Sequence, residues 1–317
     1  MPDVLISEVG PRDGLQSISR IMPTVDKCAW ITALSDAGLR EIEVGSFVPA
    51  TLLPQLADTA AVVTHALSIP GLVVTALVPN LRGAKDAMRA GVHKITIPFS
   101  ASEAHSLANV RKSHAEMLSE VRTILDLRKQ AGHSCVIEVS LSTAFGCSIA
   151  GPVAEDDVRR LASQLAAMGV DEVGLADTTG YANPAQVRRL FARVRSDIGP
   201  LCTSAHMHNT RGLGLANVMA AFDAGIRVFD SSMGGIGGCP FAPGASGNVV
   251  TEDMVFMFEA MGVSTGVTFN ALMAARQAFA CGLPNEPTYG MVPAAGLPKG
   301  FVGASSVLPG SVQGGLM

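Results

Sequence analysis

The run SAHMHNTRGLGLAN (204–217) places His206 and His208 two residues apart, at what reads as the end of a strand, in a chain with only seven histidines. Side chains two apart on a strand share a face, so both imidazoles point one way and Met207 the other. Two imidazoles so placed can bind one divalent ion when oxygen ligands complete the set. The competing assignment makes one histidine a buried, hydrogen-bonded residue and the other a solvated loop residue, and the pair alone does not decide between them.

Asp13, in PRDG, is the best-placed carboxylate ligand, although the same four residues suit a turn or a helix N-cap. Asn248, in GASGNVVTED, offers an amide oxygen, or caps a helix beginning near Val249. Arg12 is a fixed positive charge available to an anionic oxygen that develops during a reaction. Glu43 sits inside the apolar strand IEVGSF, where a carboxylate is costly unless paired, and Arg12 on the adjacent strand is its natural partner. Cys239 lies in MGGIGGCPFAPGASGN, whose glycine density exceeds what a tight turn needs. With an ordinary pKa of about 8.5, a thiol on such a loop can donate a proton to a carbanion or act as a nucleophile. A small residue at a loop base is the plainer assignment for it.

These residues need a scaffold that brings distant segments to one rim. The segments DAGLREIEVGSF (36–47), RAGVHKITIPFS (89–100), AMGVDEVGLADTTG (167–180) and DAGIRVFDSSMGG (223–235) each read as a helix closing on glycine, a polar link and a buried strand. Between them VLISEVG (4–10), LVVTALVPN (72–80), CVIEVSLSTAFG (135–146) and TSAHMHNTRG (203–212) supply four more strands. Helical spacing is clearest over 25–37, 102–131, 154–168, 184–197 and 212–224. Eight alternations of strand and helix predict a (β/α)8 TIM barrel, an α/β fold whose closure removes exposed edges. An open doubly wound sheet fits less well, because the first strand runs into Glu8-Val9-Gly10-Pro11-Arg12-Asp13 rather than GxGxxG. Barrel sites lie at the C-terminal strand ends, which here carry Arg12, Asp13, Glu43, Ser46, Asp177, Thr178, His206, His208 and the 231–235 segment. The expected organisation is a catalytic barrel with extra C-terminal helices over 1–285, followed by a Gly/Pro-rich tail, 286–317, flexible or loosely packed and without a core of its own.

Composition removes several classes of function. A 317-residue chain that is 48% hydrophobic has ample material for a core, so disorder is excluded. A net charge of −4, from 23 basic and 27 acidic residues spread along the chain, offers no basic stripe for nucleic acid. The N-terminus lacks the basic start and long apolar core of a secretory signal, and no uninterrupted apolar run is long enough to span a bilayer. A soluble protein without a membrane partner is expected. Six cysteines without a CxxC pair argue against a disulfide framework and for the cytoplasm.

The blocks EVGPRDGLQ (8–16), AGLREIEVGSFVP (37–49), LADTTG (175–180), HMHNTRGLGLAN (206–217) and GGIGGCPFAPGASGNVVTED (234–253) resemble, in family order, the signature blocks of the 3-hydroxy-3-methylglutaryl-CoA (HMG-CoA) lyases. The resemblance covers residues 8 to about 260, and the RDGLQ block together with the GGCPxAPGASGN loop is highly specific. Isopropylmalate and homocitrate synthases share the barrel and an HxHN run, but their block reads RDGEQ. The resemblance implies cleavage of the C2–C3 bond of an acyl-CoA partner, HMG-CoA, to acetyl-CoA and acetoacetate. It implies Mg²⁺ or Mn²⁺ as cofactor, with no organic cofactor beyond the CoA thioester, and Asp13, His206, His208 and Asn248 as metal ligands. Arg12 would face the thioester carbonyl, Glu43 would hold Arg12, His206 or Asp13 would act as base, and Cys239 would be the catalytic thiol. Substrate contacts would come from Arg12, Gln16, Ser46, Asp177 and Arg211, in a homodimer or higher homo-oligomer.

Three departures fall where substrate choice is set. Ser17-Ile18 replace the usual Asn-Glu, Pro49-Ala50-Thr51-Leu52-Leu53-Pro54-Gln55-Leu56 stands for Ser-Pro-Lys-Trp-Val-Pro-Gln-Met, and Asn209-Thr210-Arg211-Gly212 stands for Asp-Thr-Tyr-Gly. If Arg211 holds a carboxylate in another geometry, citramalyl-CoA, cleaved to acetyl-CoA and pyruvate, becomes the alternative substrate; the plainer assignment is a solvent-facing helix residue. A metal-dependent hydrolase built on the same histidines would have little use for Cys239 or Arg12. A catalytically dead acyl-CoA binder is disfavoured because the ligand set is complete. No compact phosphate loop is visible.

Overall fold

Gly91 and Gly169 adopt φ of 84° and 89°, the left-handed backbone that closes a helix without a Cβ clash, and buried strands start soon after, at Lys94 and Glu172. Repetition of this device builds the molecule. In the computed structural model, which describes residues 2–237 and 247–306, the strands are β1 (Leu5–Glu8), β2 (Glu41–Ser46), β3 (Val73–Leu77), β4 (Lys94–Ser100), β5 (Val136–Ser142), β6 (Glu172–Asp177), β7 (Cys202–Met207) and β8 (Val228–Ser231). They form a closed parallel barrel in chain order, with β8 returning to β1 so that Leu5 lies beside Val228. The (β/α)8 fold expected from the alternation is the one observed.

The helices are α1 (Thr24–Asp36), α2 (Thr59–Leu67), α3 (Leu81–Ala90), α4 (Glu103–Asn109), α5 (His114–Gln130) and α6 (Glu155–Met168). They continue as α7 (Pro184–Ile198), α8 (Gly214–Asp223), α9 (Thr251–Ala260), α10 (Phe269–Gly282) and α11 (Met291–Ala295). The single helix expected over 102–131 is two. Arg111 takes φ of 57°, and Ser113 opens α5 with a capping box, its hydroxyl accepting from Glu116 N while the Glu116 carboxylate accepts from Ser113 N.

α10 lies over α1, with Trp30 fully buried and its ring 4.9 Å from that of Phe279. Beyond α10 the chain is tied back by side chains of α9 and α10. Asp253 accepts from Met291 N and Val292 N, Glu259 accepts from Ser305 N at 2.6 Å, and Arg276 donates to Thr288 Oγ1. Residues 307–317 lie outside the described residues.

At the N-terminal ends of the strands, buried Lys94 is 3.3, 2.8 and 2.7 Å from Glu41, Glu138 and Glu172. Three carboxylates around one ammonium offset its desolvation and close the barrel floor. Above this floor a cavity of about 790 Å³ runs through the polar barrel interior to the C-terminal mouth, where Asp13, His206 and His208 line it.

Candidate active site and metal centre

The first strand ends on a buried carboxylate. Glu8 Oε1 accepts from Gly10 N and Met233 N, each at 2.9 Å, and Oε2 accepts from Thr251 Oγ1 at 2.6 Å. This ties the start of the Gly10–Gly14 turn to the segment after β8. The N–H groups of Arg12, Asp13 and Gly14 then converge on Val9 O at 3.1, 2.7 and 3.3 Å, a tight π-type turn that delivers Arg12 and Asp13 to the barrel mouth.

Asp13 is the hub of the cluster. Its Oδ1 accepts from Arg12 Nη1 at 2.7 Å and from Gln16 Nε2 at 2.6 Å, and its Oδ2 accepts from Asn248 Nδ2 at 2.7 Å. Arg12 Nε donates to Glu43 Oε2 at 2.5 Å, so the guanidinium bridges β2 and Asp13, while Nη2 takes part in neither pair. His206 Nδ1 is 3.0 Å from Asp230 Oδ2 on β8, and His206 Nε2 is 3.0 Å from His208 Nε2. His208 stands one residue past the end of β7, in a bridge with Asn248.

Asp13, His206 and His208 each offer a ligand atom within 4.8 Å of the others, and Asn248 Oδ1 is buried without a hydrogen-bond partner among the described residues. A buried amide oxygen left unpaired calls for a cation or a donor. Adjacent ligands on an octahedral ion with bonds of about 2.1 Å stand about 3 Å apart, and the two Nε2 atoms have that spacing. Two imidazole nitrogens with carboxylate and amide oxygens therefore fit a divalent cation.

The charges agree with this. Burial alone would raise Asp13, but Arg12 and both imidazoles outweigh it and hold the carboxyl below its ordinary value. Burial would lower His206, yet Asp230 and Asp13 hold it above its usual value, whereas burial and the neighbouring His206 push His208 down to about 3. Burial lifts Glu43 to about 7 against the pull of Arg12.

The other expected residues are placed less uniformly. Asn248 caps no helix, since α9 starts at Thr251 after Val250. Asp177 is registered with Met207 while Ala176 is registered with His206. Its Oδ1 accepts from Tyr181 N and Ala182 N, shaping the turn into α7, and burial raises it to about 6. Ser46 is buried at the end of β2, its backbone tied to Thr59 Oγ1, and does not line the cavity. The structure does not bring Arg211 to the cluster. Its Nη1 donates to Thr179 O and Gly180 O, and its guanidinium stacks 4.6 Å from the Tyr181 ring, so its hydrogen bonds hold a turn rather than a substrate carboxylate. Cys239 lies outside the described residues. Glu8 and Asp230 are structural members of the site that sequence reading missed. Glu8 carries the signal that singled out Glu43, a carboxylate in an apolar strand; Asp230 emerges only from the register of β7 against β8.

The HMGL-like family model matches residues 3–279. The chain belongs to that family. It is 41% identical over 272 residues to a hydroxymethylglutaryl-CoA lyase of Bacillus subtilis, covering 86% of this chain and 90% of the relative. It is 39% identical to a cytoplasmic 3-hydroxy-3-methylglutaryl-CoA lyase of Rattus norvegicus over 90% of this chain and 82% of the relative. The structure of an HMG-CoA lyase from an Acinetobacter in complex with coenzyme A and 3-methylmalate matches with a TM-score of 0.88 at 38% identity, covering 94% of this chain and 97% of that one. Among the described residues no helix is long and apolar enough to cross a membrane.

Proposed function

We propose that this protein is a lyase that cleaves the C2–C3 bond of HMG-CoA to acetyl-CoA and acetoacetate, using Mg²⁺ or Mn²⁺. The observation that carries the reading is the convergence of His206 Nε2, His208 Nε2 and Asp13 beside the unpaired Asn248 Oδ1, with Arg12 at the same cavity mouth. The names of the relatives supply the substrate. A divalent cation bound there supplies Lewis acidity that lowers the pKa of the substrate 3-hydroxyl.

The residues of the chain do the rest. His206 and Asp13 are the two candidates to take the 3-hydroxyl proton, and Asp230, against His206 Nδ1, holds the imidazole in place. The C2–C3 electron pair then leaves C3, which becomes the ketone of acetoacetate, and moves into the thioester as an enolate. Arg12, held by Glu43 and Asp13, stabilises the enolate oxygen. The Cys239 thiol is the proposed donor that protonates C2 to complete acetyl-CoA. We place the reaction in a reducing compartment such as the cytoplasm, since all five cysteines among the described residues are free.

The test is release of acetyl-CoA by purified protein with Mg²⁺ or Mn²⁺, from HMG-CoA and from citramalyl-CoA, each repeated with EDTA. Acetyl-CoA and acetoacetate from HMG-CoA alone, abolished by EDTA, is the expected result; no release from either thioester would end the lyase reading. Cys239→Ala separates lyase from hydrolase, because water activation does not need the thiol.

A further inference from the structure

The cavity is electrically divided. Its inner part is lined by Glu41, Glu43, Glu138 and Asp230, whereas the mouth beside the α4–α5 connection carries Arg111 and Lys112. Three lysine and arginine residues line it among those described. Arg12 is bound by Glu43 and Asp13, and Lys112 Nζ is 2.6 Å from Glu120 Oε2. Arg111 is left, exposed and with no carboxylate partner among the described residues.

Its backbone is unusual as well. Arg111 holds φ of 57°, which an unbranched but bulky residue adopts at a cost, and the connection around it is pinned on both sides. Ser106 Oγ donates to Lys112 O at 2.7 Å, and the Ser113–Glu116 capping box follows at once. A guanidinium is thus held at the mouth with its charge uncommitted. Between it and the metal ligands the wall includes the apolar residues Val48, Leu52, Leu53 and Pro79.

We propose that Arg111 seats a phosphate group of the coenzyme A moiety, an inference that rests on the acyl-CoA substrate proposed above. Coenzyme A carries its negative charge on a diphosphate and a 3′-phosphate at one end of an uncharged pantetheine arm. The interior carboxylates Glu41, Glu43 and Glu138 are already held by Lys94 and Arg12, so those cations are committed, and the apolar wall accommodates the arm. Arginine binds phosphate through paired, charge-assisted hydrogen bonds, so one uncommitted guanidinium at the mouth orients the thioester end inward.

Arg111→Asn tests this, because asparagine tolerates the left-handed backbone and leaves the connection unstrained. kcat and KM are measured for HMG-CoA and for the corresponding pantetheine thioester, which lacks every phosphate, and the Kd of coenzyme A itself is measured by calorimetry. For the CoA thioester the expected result is a KM raised about tenfold or more with kcat unchanged, and a matching rise in the Kd of coenzyme A. The pantetheine thioester should not distinguish variant from wild type. The wild-type KM for HMG-CoA should rise with salt, and the variant's should do so less. An equal rise in KM for both thioesters, or no change for either, overturns the assignment. Should the wild type cleave neither thioester, the lyase reading fails by itself, and the Kd of coenzyme A in wild type and variant still decides the role of Arg111.

Discussion

His206 Nδ1 lies 3.0 Å from Asp230 Oδ2, on the neighbouring strand and in register with it. The contact places the imidazole proton on Nδ1 and leaves the Nε2 lone pair facing His208 and Asp13. Asp230→Ala should therefore lower Mn²⁺ affinity about 10–100-fold, with Asp230→Asn recovering part of it, as read by calorimetry. The carboxylate is partly exposed, so urea unfolding should move by no more than about 1 kcal/mol. Unchanged Mn²⁺ affinity in the alanine variant would remove Asp230 from the site.

Glu43 is a second support, and here burial sharpens the expectation. Its side chain and that of Arg12 are 3% and 10% exposed. Glu43→Ala leaves the guanidinium with Asp13 alone, and breaking a buried pair costs about 3–5 kcal/mol. Because Arg12 then shifts toward Asp13, acetyl-CoA release should fall by about 100-fold or more. Glu43→Gln keeps an oxygen to accept from Arg12 Nε and should retain most of the stability. If alanine and glutamine variants unfold at the same urea concentration as wild type, the pair is not structural.

Much of the fold was legible because its punctuation is local. A glycine closing a helix, as at Gly91 and Gly169, and a buried run soon after it need no long-range information, and with the apolar runs between such segments they suffice to count eight strands. The cluster was legible where chemistry is written into adjacent positions, as in His206 and His208 or Arg12 and Asp13. It was not legible where partners meet only through register or return of the chain. Asp230 is 24 residues from His206, and Glu8 is 225 from Met233 and 243 from Thr251. Arg211 stands apart for the opposite reason. Sequence placed it three residues after His208, but a guanidinium reaches far enough to turn away, and the carbonyls of Thr179 and Gly180 with the Tyr181 ring capture it.

Glu8 gives a pH dependence. Burial lifts its pKa to about 8 from an ordinary 4.5, outweighing the bonds from Thr251, Met233 and Gly10 that pull it down. A protonated Glu8 still has a partner, since Thr251 Oγ1 can accept from it while donating to Ser231 Oγ at 2.8 Å. An acid whose folded pKa is the higher one favours folding fully below the unfolded value, and that contribution is lost as pH rises through the folded one. Wild-type stability should thus fall by a few kcal/mol between about pH 5 and 8 relative to Glu8→Gln. Urea titrations of both proteins across that range measure it; parallel curves would mean that Glu8 is ionised in the fold throughout.

Gly237 is the last described residue before the segment that contains Cys239, and it isolates the role of Asn248. It adopts φ of 109°, and a Cβ there would collide with Asn248 Nδ2 and sit 3.2 Å from Asp13 Oδ2. Gly237→Ala consequently strains the backbone and pushes Asn248 from Asp13. Gly212, at φ of 73° with nothing within 4 Å of an added Cβ, bears the strain alone and serves as the control. Both alanine variants should lose about 1 kcal/mol in urea unfolding, whereas Gly237→Ala alone should lose about tenfold or more in Mn²⁺ affinity. Equal Mn²⁺ affinity in the two variants would show that Asn248 does not hold the cation, since displacing it would then be without effect.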